Sequence, residues 1–275
     1  MEFDIQCIRD SGHFDDFIFA YKIVEKAYVQ NIVEHGQIYF GLLRNYRKME
    51  QESKSAVGDA GEATVTKQVR EYLKVNGEYV EIHGPNAGYN CRVNANQCAF
   101  CLYSEGLKSF EKLSENKYQY AIPYSVIEAV CKDKGGVGNC AIIIFDTKVI
   151  RKIYDALKKK KLQFSGQKVI YDNFDYVPTN KEIGSPEYAL ECCFHKDERY
   201  AYQKEFRIVA LNTEDNPIDD LFIPIAPDDF QVVELVDGFE FQCLIGISAE
   251  VTGRIAKVRF DCTPVSYTHL RAHET

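Results

Sequence analysis

The stretch from residue 17 to residue 43 changes twice between strand-like and helix-like patterns, and it constrains the fold more than any other part of the chain. Residues 17–24, FIFAYKIV, form an apolar run rich in aromatic and β-branched side chains, which is typical of a buried strand. Residues 25–36, EKAYVQNIVEHG, place apolar side chains at helical spacing and end on Gly36, a common residue after a helix. Residues 37–43, QIYFGLL, return to a strand pattern. The stretch predicts helix and strand in close alternation.

The rest of the chain continues this mixture. Helices are predicted over 44–52, 123–132 and 147–161, the last because its apolar residues share one face. The Asn76-Gly77 pair predicts a hairpin within 63–83. Further strands are predicted over 96–104, 140–145, 168–177, 189–194, 203–211, 220–225 and 243–249. Since neither a repeat nor a linker separates these elements, we expect a single α+β domain over residues 1–264, with a mixed sheet flanked by a few helices.

Charge and composition narrow the classes of function. The net charge of -8 and pI near 5.4 disfavour a broad surface for duplex nucleic acid, which needs clustered cations. The sequence lacks a long apolar span and begins without a signal-peptide pattern, so we expect no membrane partner and a cytoplasmic location. The 10 cysteines are irregularly spaced and are expected to be reduced, buried thiols.

The last residues, 265–275, read VSYTHLRAHET and resemble the translated adapter tail of metagenomic reading frames. We therefore treat this segment as a non-native tail and assign no function to its histidines.

Three other patterns favour structural explanations. Cys98 and Cys101 lack a second pair at zinc-finger spacing, and no metal site is expected. The glycine-rich run 135–138 precedes a strand, whereas a dinucleotide fingerprint follows one. The lysines 158–161 close an amphipathic helix and are typical of a solvated helix end, with phosphate contact as the alternative.

A first candidate site combines arginines with carboxylates. Arg44, Tyr46 and Arg47 follow a predicted strand, and Asp59 and Glu62 lie in the glycine-containing loop VGDAGEA. The planar guanidinium group suits two-point binding of phosphates or carboxylates. The alternative is a surface helix with salt bridges beside a glycine turn.

A second candidate site is the segment YAYQKEFRI, residues 200–208. In an extended strand Gln203, Glu205 and Arg207 share one face. This pattern fits a strand that lines a cleft, with Glu205 as its working carboxylate. It fits equally an edge strand with a solvated face.

The order of these motifs resembles a widespread uncharacterised bacterial and phage family. Its members share an aromatic-arginine segment, a glycine-aspartate-x-x-glutamate loop and a late tyrosine-x-x-glutamate-x-arginine strand. The resemblance covers residues 18–62 and 190–211 and implies kinship without a settled activity.

A more distant similarity is to the ADP-ribosyltransferases, because Gln203-Lys204-Glu205 matches their glutamine-x-glutamate motif. This resemblance implies a split sheet that binds NAD as substrate, with catalytic Glu205 stabilising an oxocarbenium-like transition state. It also implies ligand contacts from the residues of both candidate sites and from Tyr21, which stands where that fold has an early histidine or arginine. The acceptor of ADP-ribose would be an unknown macromolecule or small ligand. The competing hypothesis is a non-enzymatic phage or mobile-element accessory protein that binds a partner or small ligand.

Overall fold

A computed structural model describes residues 2–4, 19–43, 45, 64–68, 71–75, 78–82, 88–92, 97–114, 117–122, 124–172, 185–211, 218, 221–226, 231–248 and 255–264. The helices are α1 (Lys26–His35), α2 (Tyr124–Cys131), α3 (Thr147–Lys159) and α4 (Pro186–Cys192), with short 3₁₀-helices at Leu107–Ser109, Lys132–Lys134, Val137–Asn139 and Glu198–Gln203. The strands are β1 (Glu2–Asp4), β2 (Phe19–Glu25), β3 (Gln37–Leu42), β4 (Thr64–Gln68), β5 (Glu71–Val75), β6 (Glu78–Ile82), β7 (Gly88–Arg92), β8 (Cys98–Glu105), β9 (Glu111–Ser114), β10 (Lys117–Ile122), β11 (Cys140–Phe145), β12 (Phe164–Lys168), β13 (Ile170–Asp172), β14 (His195–Asp197), β15 (Glu205–Ala210), β16 (Leu221–Pro224), β17 (Gln231–Glu234), β18 (Phe239–Ser248) and β19 (Ile255–Pro264). Helices together with mostly antiparallel sheet confirm the predicted α+β class.

The opening strand, helix and strand form as the sequence predicts. Helix α1 ends at His35, and Gly36 after it takes the left-handed conformation with φ of 58°. A side chain there would also collide with the carbonyl of Ile225, whose own N–H donates to the Gly36 carbonyl at 2.6 Å. Glycine is therefore required at this turn for both backbone conformation and space.

The chain divides into two compact units. The first contains residues 1–38, 102–156 and 223–275. One of its sheets has the strand order β1-β19-β18-β10-β9, and β2 and β17 flank β11 in another ladder. Ile142 of β11 lies opposite Ile23 on one side and Val233 on the other. All six residues of β11 are buried, as expected for the most apolar strand of the chain.

The second unit contains residues 39–101 and 157–222. Strands β12 and β15 pair antiparallel, and β15 also lies beside β8. Strands β13 and β14 form a parallel pair. A small core of this unit brings together Leu43, Ala99, Cys193, Phe194 and Val209. This unit carries the second candidate site.

The structure confirms several sequence predictions and corrects one element. The hairpin is present, since β5 and β6 pair with Val75 opposite Glu78. The strand predicted over 189–194 is wrong, because α4 occupies most of that segment. The Ser185 side chain accepts a hydrogen bond from the Tyr188 N–H at 3.1 Å, and Pro186 begins the helix. Both are helix-start signals that outweigh the short apolar run.

Among the described residues, none of the helices combines the length and apolarity that crossing a membrane requires. The last described strand, β19, ends at Pro264. The predicted helix over 44–52 lies almost entirely outside the described residues, and the tail over 265–275 lies wholly outside them.

Candidate functional site

The candidate site is centred on the first and third residues of β15. Glu205 and Arg207 point to the same side of the strand, as period-two alternation predicts. Arg207 donates through Nε to Glu205 Oε1 at 2.8 Å and through Nη2 to Glu205 Oε2 at 3.0 Å. The Arg207 side chain is 1% exposed and that of Glu205 is 9% exposed. The two form a bidentate ion pair that is almost entirely excluded from water.

A second cation reaches Glu205 from β14. The Lys196 ammonium donates to Glu205 Oε2 at 3.3 Å and to Gln203 Oε1 at 2.7 Å. It also lies 5.0 Å from the centre of the Tyr200 ring. These three neighbours match the three N–H groups of the ammonium, so Lys196 is well accommodated although it is 3% exposed.

The third polar residue of the predicted strand face, Gln203, lies in a different element. It ends the 3₁₀-helix Glu198–Gln203, and Lys204 follows with φ of 42° in the left-handed region. The strand therefore begins at Glu205, and the prediction that all three side chains share a strand face is wrong for Gln203. The Lys196 ammonium nevertheless joins Gln203 to Glu205.

Backbone contacts fix the cluster to its neighbours. The Arg207 Nη1 group donates to the Cys193 carbonyl at 2.7 Å, just after α4. The Glu205 N–H donates to the Tyr171 hydroxyl at 2.9 Å, and the Glu205 carbonyl accepts from the Val169 N–H at 2.9 Å. The parallel pair β13–β14 places Tyr171 directly opposite Lys196. Residues from β13, α4, β14 and β15 thus meet around one carboxylate.

The surroundings keep Glu205 ionised. Burial by itself raises the pKa of a carboxyl group, because it penalises the anion. The charges of Arg207 and Lys196, with hydrogen bonds from Arg207 and the Cys101 thiol, outweigh burial and lower the pKa of Glu205 from 4.5 to about 2. Burial raises the pKa of the nearby Tyr171 above its ordinary value, and that hydroxyl stays protonated. At neutral pH the cluster contains one anion and two cations.

The 3₁₀-helix Glu198–Gln203, next to the cluster in sequence, has several solvent-exposed side chains that could contact another molecule. Tyr202 is 64% exposed, and Arg199 and Lys204 are exposed as well. Tyr200 points the other way, is 7% exposed, and has both Lys196 and the Arg199 guanidinium 5.0 Å from its ring centre. A buried, ion-paired base therefore supports an exposed segment with an aromatic ring and charges of both signs, because Glu198 is exposed and Arg199 Nε lies 3.5 Å from Asp197 Oδ2.

Among the remaining predicted site residues, the structure describes Tyr21. Tyr21 is on β2 in the first unit and is 4% exposed in an aromatic core. Its ring stacks on Tyr103 with centroids 5.2 Å apart, and its hydroxyl bonds to Tyr120. A ligand contact through Tyr21 stays a prediction. The first candidate site, formed by Arg44, Tyr46, Arg47, Asp59 and Glu62, lies outside the described residues.

Sequence reasoning missed Lys196 as a member of the cluster. The residue lies in the polar segment HKDERY, which gives no strand-like alternation. Its position depends on the parallel pairing of β14 with β13, a tertiary contact between distant residues. The positive charge of Lys196 was visible in the sequence, but its partner was not.

Within the described part of the chain, His, Cys, Asp and Glu side chains form no group of three that could hold a metal ion. Comparisons with protein families, with curated proteins and with solved structures find no match.

The hydrogen bonds of Glu205 bear on the hypothesis that this residue acts on NAD. A carboxylate that stabilises an oxocarbenium ion needs an oxygen that can approach the sugar. Both oxygens of Glu205 already accept hydrogen bonds from cations of the same chain. Catalysis by Glu205 would require one of these hydrogen bonds to break, and the catalytic role stays a prediction.

Proposed function

We propose that this protein acts without catalysis, by binding a partner, and that the Glu205 cluster is the rigid support of its binding segment. The observation that carries the proposal is the complete engagement of the carboxylate by Arg207 and Lys196. Buried charges that are paired in this way stabilise one arrangement of the surrounding elements, because breaking the pair leaves an uncompensated charge.

The exposed side of the 3₁₀-helix is the segment we assign to partner contact. Arg199 and Tyr202 belong to the residue types enriched at the energetic centres of interfaces. Lys204 adds a further cation beside them, and its left-handed backbone turns the chain sharply from this segment into β15. The support from Tyr200 and Gln203 beneath reduces the entropy lost when the segment is immobilised by a partner.

The cellular setting is part of the proposal. We propose a reducing compartment such as the cytoplasm, with which six free thiols are compatible: Cys98, Cys101, Cys131, Cys140, Cys192 and Cys193. A role as a bacterial phage or mobile-element accessory factor follows from the motif resemblance alone.

One observation supports the alternative hypothesis of an ADP-ribosyltransferase. The Lys196 ammonium brings Gln203 and Glu205 together, so the two residues of the glutamine-x-glutamate motif do converge. Catalysis would require Lys196 or Arg207 to leave one carboxylate oxygen when substrate binds. This hypothesis makes a different prediction for labelled NAD.

The test is to incubate the purified protein with NAD labelled in the nicotinamide and, separately, in the adenylate part. Wild type, Glu205→Gln and the matched control Glu128→Gln are compared, since Glu128 is an exposed glutamate on α2. We expect neither nicotinamide release nor label transfer above the blank from any of the three. Supplying a cell lysate as a source of acceptors extends the test to transfer.

A wild-type turnover that survives in Glu128→Gln and disappears in folded Glu205→Gln would overturn the proposal in favour of the transferase. Circular dichroism and the melting temperature of each preparation show whether a variant is folded. The proposal requires instead that Glu205→Gln changes stability and leaves the NAD assay at background.

A further inference from the structure

Helix α3 concentrates positive charge on its solvent side. Lys148, Arg151, Lys152, Lys158 and Lys159 are all exposed. Lys160 and Lys161 continue the series in the turn that follows and are exposed as well. We call these seven residues the basic helix face.

The basic helix face contrasts with the charge of the chain as a whole. Its seven cations are accompanied over residues 147–161 by one anion, Asp155, so this segment carries +6. Because the whole chain carries -8, the remainder carries -14. Such segregation creates a local positive potential within an otherwise acidic protein.

The apolar side chains on the opposite side of α3 are packed in the protein interior. Val149, Ile150, Ile153 and Leu157 are buried. An interfacial membrane helix inserts its apolar side into lipid, and that side of α3 is unavailable. The exposed large hydrophobic residues of the described chain also lie off α3, whereas a protein interface usually has an apolar centre. A partner of this face must be held almost wholly by charge.

The backbone at the end of α3 gives an independent argument that its lysines have a function. Lys161 adopts φ of 57°, the left-handed conformation that favours glycine. The Leu162 N–H donates to the Leu157 carbonyl at 3.2 Å, and the Lys161 N–H donates to the Lys158 carbonyl at 2.9 Å. These two bonds close the helix in the Schellman arrangement, whose left-handed position is usually glycine. A lysine there adds a cation at the expense of backbone strain.

The dimensions of the face suit a single strand of nucleic acid. From Lys148 to Lys159 the helix rises about 16 Å, at ~1.5 Å per residue. At the ~3.4 Å per phosphate of a strand in a stacked helical conformation, this length spans about five phosphates. A duplex presents a wide anionic surface that the acidic remainder of the protein would repel. We propose that the basic helix face binds the phosphate backbone of single-stranded nucleic acid.

This inference goes beyond the binding function proposed above, because it concerns another surface and does not depend on the role of Glu205. The NAD assay and the experiment below therefore fail or succeed separately. Binding should have little sequence preference, since the face offers cations and no exposed aromatic side chain for stacking on bases.

The test measures fluorescence anisotropy of a labelled oligothymidine of about 20 nucleotides, a length that exceeds the expected site. Salt is varied between about 50 and about 200 mM. For about five phosphate contacts we expect a slope of log K against log salt near about −3.5, at ~0.7 per contact on single strands.

The informative variant is Lys161→Gly, which removes one cation and gives the left-handed position its preferred residue. We expect binding at ~0.1 M salt to weaken about five-fold, as loss of one contact implies, while the melting temperature stays equal or rises. Lys112→Gln is the matched control, because Lys112 is an exposed lysine on β9, outside α3. It should bind as wild type does. Replacing Lys158 and Lys159 together by Gln should weaken binding further and flatten the salt slope.

Three results would each overturn the inference. The first is an anisotropy that does not respond to wild-type protein at the lowest salt. The second is equal weakening by Lys112→Gln and Lys161→Gly, which would indicate diffuse charge attraction. The third is equal or tighter binding of polyglutamate, of phosphatidylserine vesicles or of a duplex of the same length, which would assign the face to another class of partner.

Discussion

Replacing Glu205 by Gln tests most directly whether the buried cluster is structural. The change keeps the shape of the side chain but removes its charge, and turns one acceptor oxygen into an NH₂ donor. That donor must face Arg207 or Lys196, both of which are donors and both of which are nearly fully buried. Removing one partner of a buried ion pair typically costs about 3 to 5 kcal/mol.

The depressed pKa gives a separate estimate of the same quantity. A fall from 4.5 in the unfolded chain to about 2 in the folded protein corresponds to about 3 kcal/mol at neutral pH. Because the folded pKa is the lower one, this stabilisation is complete above the unfolded value. It is lost as pH falls toward the folded value, with about 2 kcal/mol gone by pH ~3.

Urea denaturation at several pH values measures both consequences. At pH ~7 we expect Glu205→Gln to lose about 3 kcal/mol, or about 8 °C in melting temperature for a chain of this size. The difference from wild type should shrink as pH falls, because protonated Glu205 is as neutral as Gln. A difference below ~1 kcal/mol at pH ~7, or one independent of pH, would refute the reasoning. The control Glu128→Gln should match wild type throughout.

Two further substitutions test other parts of the described structure, each by its urea midpoint. Ser185→Ala removes the acceptor for the Tyr188 N–H at the start of α4 and should cost about 1 kcal/mol, whereas Ser185→Asp should restore the cap; equal stability of all three proteins would contradict the capping role. Tyr120→Phe removes the hydroxyl that donates to Glu105 Oε1 at 2.7 Å and should cost about 2 kcal/mol, because the carboxylate is 2% exposed. Tyr118→Phe, at a half-buried neighbour on β10, should cost clearly less, and an equal loss would contradict a special contribution of the bond to Glu105.

Local patterns predicted most of the described elements because they report local physics. The face of α3 follows from apolar spacing alone, and the end of α1 follows from the need for glycine at a left-handed turn. The strand prediction for residues 189–194 was wrong because a short, mostly apolar run is compatible with either a strand or a buried helix turn. The preceding Ser185-Pro186 pair carried the decisive signal in that region.

The candidate site was predictable only in part. Alternation correctly placed Glu205 and Arg207 on one side of β15. It wrongly placed Gln203 on the same strand face, because the left-handed backbone of Lys204 separates Gln203 from the strand. No local rule favours a left-handed lysine at that position, so the strand boundary could not be placed from the sequence.

The role of Glu205 depends on a charge that arrives from another element. Arg207, two residues away on the same strand, already donates to both oxygens of the carboxylate. Lys196 adds a second cation on Oε2, and it can do so only because β14 pairs in parallel with β13. The cluster then has one more cation than anions, and the Cys193 carbonyl, the Gln203 amide oxygen and the Tyr200 ring take up the remaining donors. Freeing an oxygen of Glu205 for chemistry would require a hydrogen bond from Arg207 or Lys196 to break. That step costs free energy, because the cation would then be buried without a compensating anion. The same glutamine-x-glutamate pattern can therefore mark a reactive carboxylate or a structural one, and the donors that contact the carboxylate decide which.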